Sequence, residues 1–335
     1  MRAGRITLTH GSGGLAQLRL IEELFVEIFG DPELKRLEDQ ARLAFPGGQL
    51  AFTTDGYVVD PPFFPGGDIG KLAVCGTVND LAVGGARPLY LSCAFILEEG
   101  FDLTRLEAIA RSMKRAADEA GVRLVTGDTK VVPKGAADEI FITTSGVGVI
   151  PEGFDLGVHR IEPGNRILVS GPIGDHGAAI LDARGELGLE HAIESDCRPL
   201  NRLIERLLAE IPVHAMRDPT RGGLAAVLYE FARKSRLGFF LDEKKIPVRE
   251  EVRAICELLG LDPLYLACEG RVVAFVPERY AERALAVMRD HPSGSEAAII
   301  GEVREEAGGE VVLRTPFGGE RLVDLPEGEM LPRIC

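Results

Sequence analysis

No stretch of this chain is apolar over anything near the ~20 residues that a membrane-crossing helix needs, so no span is expected. Behind Met1-Arg2-Ala3-Gly4-Arg5 there is no apolar core of the kind a secretory signal carries. The six cysteines (75, 93, 197, 256, 268 and 335) form no CxxC pair and no His/Cys spacing suited to zinc. Most sit in apolar company such as Leu72-Ala73-Val74-Cys75, the setting of a small buried thiol. These absences point to a reduced, cytoplasmic protein. Basic residues are also outnumbered: 38 Lys and Arg face 52 Asp and Glu, a formal net charge of −14. That balance argues against a broad nucleic-acid or anionic-membrane surface.

What is present is glycine, 40 of 335 residues, or about 12% against a usual value of about 7%. The length suits two domains, and residues 151–163 read as the loop between them. Before that loop, 5–9 alternates like a short strand. A helical spacing follows through Leu18, Ile21, Leu24, Phe25 and Ile28. Residues 49–59 read as a strand and 69–83 as a helix capped by Asp68 and ended by Gly84-Gly85. Further strands are expected at 89–97, 122–125 and 140–149, with a helix over 104–120. The second half restarts with a strand at 166–170 and helices near 176–184 and 199–210. Another helix follows Asp218-Pro219-Thr220, and one more covers 252–259; strands are expected at 237–241, 271–276 and 297–303. The segment 324–335 has no period and reads as a mobile tail.

Several motifs carry possible chemistry. Gly11-Ser12-Gly13-Gly14-Leu15-Ala16 matches the dinucleotide fingerprint, but the acidic residues 20 positions on, Asp31 and Glu33, lie in a loop instead of at a strand end. A glycine loop whose bare N–H groups approach phosphate fits better. Gly66-Gly67-Asp68-Ile69-Gly70-Lys71-Leu72 is one residue short of a P-loop, and Leu72 replaces its Ser/Thr. Asp68 as an N-cap and Lys71 in solvent is the plainer reading of that fragment. Asp55, Asp80, Asp128 and Asp218 each stand among Ala, Val and Gly. Singly each is an ordinary cap or turn residue; converging, they would repel by roughly 4 kcal/mol per close pair. A divalent cation would relieve that repulsion, and hard oxygen ligands suit Mg²⁺ bridging to nucleotide phosphates. Lys130 and Glu269 sit beside such motifs, with a surface ion pair as the default for each. Asp218-Pro219-Thr220-Arg221-Gly222-Gly223 offers a phosphate-friendly helix start.

The terminal Pro332-Arg333-Ile334-Cys335 is the sharpest feature. A CaaX lipid site would place the Cys four from the end, so that reading falls. A thiol on a tail that reaches about 40 Å, at roughly 3.3 Å per residue from Asp324, suits a swinging carrier. Arg333 would favour the thiolate and the terminal carboxylate would oppose it. Met330, Leu331 and Ile334 offer apolar docking contacts.

Together these motifs, with Asp55-Gly56-Tyr57-Val58-Val59, Gly76-Thr77-Val78-Asn79-Asp80-Leu81, 126–131 and Gly174-Asp175-His176-Gly177, resemble one family over nearly the whole chain. It is the HypE family of hydrogenase maturation proteins, within the aminoimidazole ribonucleotide synthetase-like ATP-binding superfamily. The resemblance implies a two-domain fold: an α/β domain (1–152) that binds ATP and pairs in a homodimer, an α+β domain (153–323), and a flexible tail (324–335). It implies that Cys335 takes a carbamoyl group from a HypF-type carbamoyltransferase. ATP-dependent dehydration then makes a thiocyanate, whose cyanide goes to iron on a HypC–HypD complex. By the same analogy Lys130 and Glu269 are the bases, and Asp55, Asp80, Asp128 and Asp218 hold Mg²⁺. Gly11, Ser12, Gly13, Gly14, Asp68, Lys71, Asn79, Thr129 and Arg221 would line the nucleotide site. Rival readings are a small-molecule kinase of the same superfamily, which has no use for Cys335, and a thiol carrier without ATP chemistry.

Overall fold

The structure, a computed structural model, describes residues 4–11, 15–37, 41, 43, 45–185, 193–325 and 333–335. The first half is built on strands β1 (Gln49–Tyr57), β2 (Arg87–Glu98), β3 (Arg123–Val132) and β4 (Ile140–Ile150). Their order across the sheet is β1-β4-β2-β3. β2 and β3 are parallel because helix α2 (Leu103–Ala120) carries the chain back between them; the other pairs are antiparallel. Helix α1 (Ile69–Val83) is buried along nearly its whole length. It starts where Asp68 accepts the N–H groups of Gly70 and Lys71. Both helices cover one face of the sheet, and the other face is left open with Leu50, Phe52 and Ile96 exposed on it.

The N-terminus departs from the expected strand at 5–9. Arg5 makes one bridge, to Asp102, and Leu8–Gly11 forms a tight 3₁₀ turn. Thr7 turns both its N–H and its hydroxyl to His10 Nδ1 (3.1 and 2.9 Å), a local bond that competes with a strand ladder. The expected helix is present as Leu15–Leu20, a π-helical stretch Ile21–Val26 and a last turn Glu27–Phe29.

The second half carries a sheet of β5 (Asn165–Val169), β6 (Ala215–Arg217), β7 (Gly238–Asp242), β8 (Val273–Pro277), β9 (Ala298–Arg304), β10 (Val311–Arg314) and β11 (Glu320–Leu322). The order is β11-β10-β7-β9-β5-β8-β6. Helices α3 (Asp175–Ala183), α4 (Asn201–Glu210), α5 (Gly223–Ser235), α6 (Glu250–Leu259) and α7 (Ala281–Arg289) pack around it. β6, α7, β10 and β11 have no counterpart in the sequence reading.

The halves meet along α1. Ile180, Cys197 and Ala267 join the core of the first half, and Ala82 and Val83 join that of the second. Asn79 brackets the junction: its amide nitrogen donates to Arg198 O (3.1 Å) and Glu269 O (3.4 Å), and its oxygen accepts Leu200 N–H (2.7 Å).

Candidate active site

The junction between the halves collects acid. β1 alternates, so Thr53, Asp55 and Tyr57 turn toward α1 while Phe52 and Thr54 turn away. Asp55 accepts from Thr77 Oγ1 at 2.9 Å, and Asp80, one turn along α1, accepts from Thr53 Oγ1 at 2.9 Å. Asp218, just past β6, is buried at 5% exposure. Burial first, then the charge of Asp80, pushes its carboxyl up to about 7. Asp80 is raised as well, by burial and then by Asp55. Glu269 is 3% exposed, and its carboxyl is held well above the usual range by burial, then by Cys197, Asp218, Asp196 and Asp55. Tyr57 lies flat under this group, its Oη 3.3 Å from Thr77 Oγ1. Gly76 makes room for it, since a Cβ there would stand 2.3 Å from that oxygen.

Into this pocket comes the end of the chain. The last three residues of the segment read as a mobile tail lie docked along 58–60. Cys335 O accepts Val58 N–H at 3.1 Å and Arg333 O accepts Asp60 N–H at 3.2 Å. Ile334 is buried in the first core; Met330 and Leu331 lie outside the described residues. The Cys335 thiol is pushed up to about 12, by burial first and then by Glu269 and Asp55, against the lowering charge of Arg221. The cation at the thiol is therefore Arg221, not Arg333 as the sequence suggested. Arg333 faces outward instead, paired with Asp138 and Asp60 and stacked near the Phe141 ring.

Other candidates fall elsewhere. Asp68 is the cap of α1, as the plainer reading of that fragment had it, but Lys71 does not stand in solvent: it is half-buried and its Nζ donates to Gly66 O at 2.8 Å. Asn79, expected at the nucleotide, spends both ends of its amide on backbone. Asp128 and Lys130 pair with each other at 3.1 Å, 54% and 62% exposed, on the open face of β3. In register, Asp128 faces Ala94, then Thr143, then Gly56. It thus stands three strands from β1, about 14 Å at roughly 4.8 Å per strand, and on the opposite face from Asp55. Thr129 points inward and is 3% exposed. Gly11 lies against this same edge, where a Cβ would meet Val131 N at 2.5 Å; Ser12, Gly13 and Gly14 lie outside the described residues. The candidate residues therefore fall into two groups: Asp55, Asp80, Asp218, Arg221, Glu269 and Cys335 toward the β1 edge, and Gly11, Asp128 and Lys130 at the β3 edge.

Among the described residues no three His, Cys, Asp or Glu side chains form a ready metal cage. Asp55, Asp80 and Asp218 still fit a hard cation, since burial and then their mutual repulsion raise two of them and Mg²⁺ commonly takes only one or two carboxylates plus phosphate oxygens. Sequence reasoning gave no role to His176, Ser195, Tyr57 or Thr77; His176, Tyr57 and Thr77 sat inside quoted motifs, and Ser195 in none.

The two halves, an α/β domain and an α+β domain, correspond to the two domains of the AIR synthase related proteins. The family's N-terminal domain matches residues 37–150 and its C-terminal domain residues 162–314, and the chain belongs to it. A likeness to thiamine-monophosphate kinase of Stenotrophomonas maltophilia (24% identity, TM-score 0.62) reflects this shared fold alone. Within the family the nearer likeness is specific. The chain is 56% identical to carbamoyl dehydratase HypE of Rhodobacter capsulatus, covering 100% of this chain and 99% of that one. It is 52% identical to the Escherichia coli K12 carbamoyl dehydratase HypE, covering 98% and 99%. A crystal structure of HypE in complex with ATP superposes with a TM-score of 0.94 at 51% identity, covering 98% of this chain and 99% of that one. HypE in a HypE–HypF complex gives 0.80 at 50% identity, covering 92% and 99%. The chain is a member of the HypE family of hydrogenase maturation proteins.

Proposed function

We propose that this chain uses ATP to dehydrate a carbamoyl group on its own Cys335 to a thiocyanate, the source of a cyanide ligand for the iron of a [NiFe]-hydrogenase. The observation that carries this reading is the docked terminus: bonded through Cys335 O and Arg333 O to the body of the protein, it buries the thiol within electrostatic reach of Glu269 and Arg221. A carboxamide does not lose oxygen readily because hydroxide is a poor leaving group. Attack of the amide oxygen on the γ-phosphorus of ATP releases ADP and turns that oxygen into a phosphate ester. The nitrogen then gives up two protons as the C–O bond breaks, phosphate leaves and the C≡N bond forms. Glu269 is the base beside the tail. Its raised proton affinity suits the uptake of a proton from a weakly acidic N–H near neutral pH. Asp55, Asp80 and Asp218 would hold Mg²⁺, which supplies charge neutralisation for phosphoryl transfer.

The second base, Lys130, reaches this site only from another copy of the chain. The glycine loop, Asp128 and Lys130 sit at one edge of the sheet and the acid cluster at the other. The open face between carries Leu50, Phe52 and Ile96 exposed. A homodimer that covers this face joins each β1 edge to a β3 edge of its mate. The carbamoyl donor is a HypF-type carbamoyltransferase, supported by the solved HypE–HypF complex, and the cyanide acceptor, by family resemblance, is a HypC–HypD complex. Six free cysteines suit a reducing, cytoplasmic setting.

The test is to carbamoylate the chain, add Mg-ATP and follow the tail peptide by mass spectrometry. Loss of one water from the Cys335 adduct is expected; ATP hydrolysis with the adduct unchanged refutes the reading. Free-substrate turnover by Cys335→Ala would favour the kinase. The shared site has its own test, mixing Lys130→Ala with Glu269→Gln chains. Random dimers restore about a quarter of wild-type activity if the site is shared, and none if each chain is self-contained.

A further inference from the structure

His176 has no part in the chemistry described above, yet it touches the tail. The residue is completely buried at the start of α3, edge-on to the Phe64 ring at 5.4 Å between centroids. Its Nε2 lies 2.7 Å from the carbonyl oxygen of Ile334, and its Nδ1 lies 2.7 Å from Ser195 Oγ. A carbonyl only accepts, so Nε2 carries the proton. Burial favours the neutral ring, which leaves Nδ1 as an acceptor from the Ser195 hydroxyl. Ser195 Oγ in turn accepts Cys197 N–H at 3.1 Å, and Ser195 N–H is tied to Pro65 O at 2.9 Å. With the tail docked, the ring is thus held in one tautomer and one orientation.

All three carbonyls of the described tail are caught by the body of the protein. Arg333 O takes Asp60 N–H and Arg184 Nη2 (3.1 Å), Ile334 O takes His176, and Cys335 O takes Val58 N–H. These contacts are to backbone, so they do not depend on what the Cys335 sulfur carries. Among them the bond at Ile334 is the one made by a buried side chain locked for that purpose.

We infer that His176 is the latch of the tail: its Nε2–H holds the Ile334 carbonyl, making it a positioning residue that keeps the Cys335 sulfur, free or modified, beside Glu269. This deepens the dehydratase reading and rests on it for its purpose, but the latch is measurable without any dehydration.

The experiment is the rate at which a maleimide labels Cys335 in the full chain, without ATP. The other five cysteines are buried, so the six-residue tail peptide released by cleavage after Glu329 reports the reaction. The docked thiol is inert and the released one reactive, so the rate follows the released fraction. His176→Leu leaves a buried carbonyl without its donor, a loss on the order of tenfold in the docking equilibrium, and labelling rises by that factor. His176→Gln keeps an N–H in reach of Ile334 O and stays within a few-fold of wild type. Ser195→Ala, which only frees the ring, falls between them and serves if His176→Leu does not fold. ATP affinity, which a general loosening of the structure would reduce, is unchanged in all three. Labelling of His176→Leu or Ser195→Ala at the wild-type rate overturns the latch, as does a rise equally large in His176→Gln. If labelling behaves as expected while carbamoylated wild type loses no water with ATP, the latch stands and the dehydratase reading falls.

Discussion

Replacing Asp218 by Asn removes a charge that the folded chain resists, so the substitution is expected to stabilise the protein while disabling it. The Asp218 carboxyl is raised from 3.8 to about 7, and each unit is about 1.4 kcal/mol between protonation states. The folded form keeps its proton between pH 4 and 7, where the unfolded form has lost it. Stability therefore falls as pH rises across that window, and above pH 7 the whole penalty is in force. Its ceiling is about 4 kcal/mol, and relaxation around a buried charge roughly halves it, to about 2 kcal/mol. At roughly 2–4 °C per kcal/mol for domains of this size, Asp218→Asn melts several degrees above wild type at pH 8. The gap closes toward pH 4, where wild-type Asp218 is also neutral. Calorimetry of both chains at pH 8 and pH 5, without nucleotide or divalent cation, reads this directly. ATP turnover in the variant falls because a neutral amide no longer balances a cation. A variant that melts at or below wild type at pH 8, or a gap that does not shrink at pH 5, refutes the reasoning.

Three further outcomes follow from the same geometry. Glu269→Gln accepts a carbamoyl group on Cys335 normally but dehydrates it at least about 100-fold more slowly. The acidic limb of the wild-type pH–rate profile, expected well above the ordinary carboxylate range, is absent from that variant in single-turnover measurements. Gly76→Ala drives a Cβ against Tyr57 Oη; overpacking of this kind costs about 1–3 kcal/mol, read as a lower urea midpoint, and it shifts the floor of the site. Asn79→Leu leaves Leu200 N–H and the Arg198 carbonyl without their partners, while Glu269 O keeps the Arg198 N–H; the cost is about 1–3 kcal/mol, and chemical denaturation then separates the unfolding of the two halves.

The parts of the fold that could be read in advance are those where local signals agree. Asp68, the Gly84-Gly85 pair and the apolar run between them bound α1 at Ile69–Val83, as the sequence indicated. β3 was read only to 125 because Gly127-Asp128 looks like a turn; it runs to Val132 because pairing with β2 supplies the bonds that local propensity does not. Missing that strand also hid the orientation of Asp128 and Lys130, since period-two alternation decides which face a side chain takes. Asp55, Asp80, Asp128 and Asp218 stood out as acids among Ala, Val and Gly; the structure groups Asp55, Asp80 and Asp218 with Glu269, whose role only the resemblance had named, and leaves Asp128 on the opposite face of the sheet. Arg333 was misread because closeness in sequence to Cys335 was taken for closeness in space. A positive φ of 52° at Arg333 turns its side chain outward toward Asp138. His176 stood in a quoted motif without a role, because a histidine between Asp175 and Gly177 has no spacing that marks it as a donor to a carbonyl 158 residues away.

The docked geometry also divides the labour of the tail. A thiol pushed up to about 12 is almost wholly protonated at neutral pH, and the thiolate is the nucleophile. On the proposed dehydratase reading, docked Cys335 is therefore a poor acceptor of a carbamoyl group, and loading belongs to the released tail, where burial no longer raises the thiol. Once loaded, the sulfur has no proton to lose, and the buried acids that suppressed it no longer oppose its charge. The same surroundings then act on the carboxamide, where a buried base and a water-poor pocket favour loss of oxygen over hydrolysis. One desolvated pocket thus protects the empty thiol and processes the loaded one, and the backbone latch admits both because it does not read the sulfur.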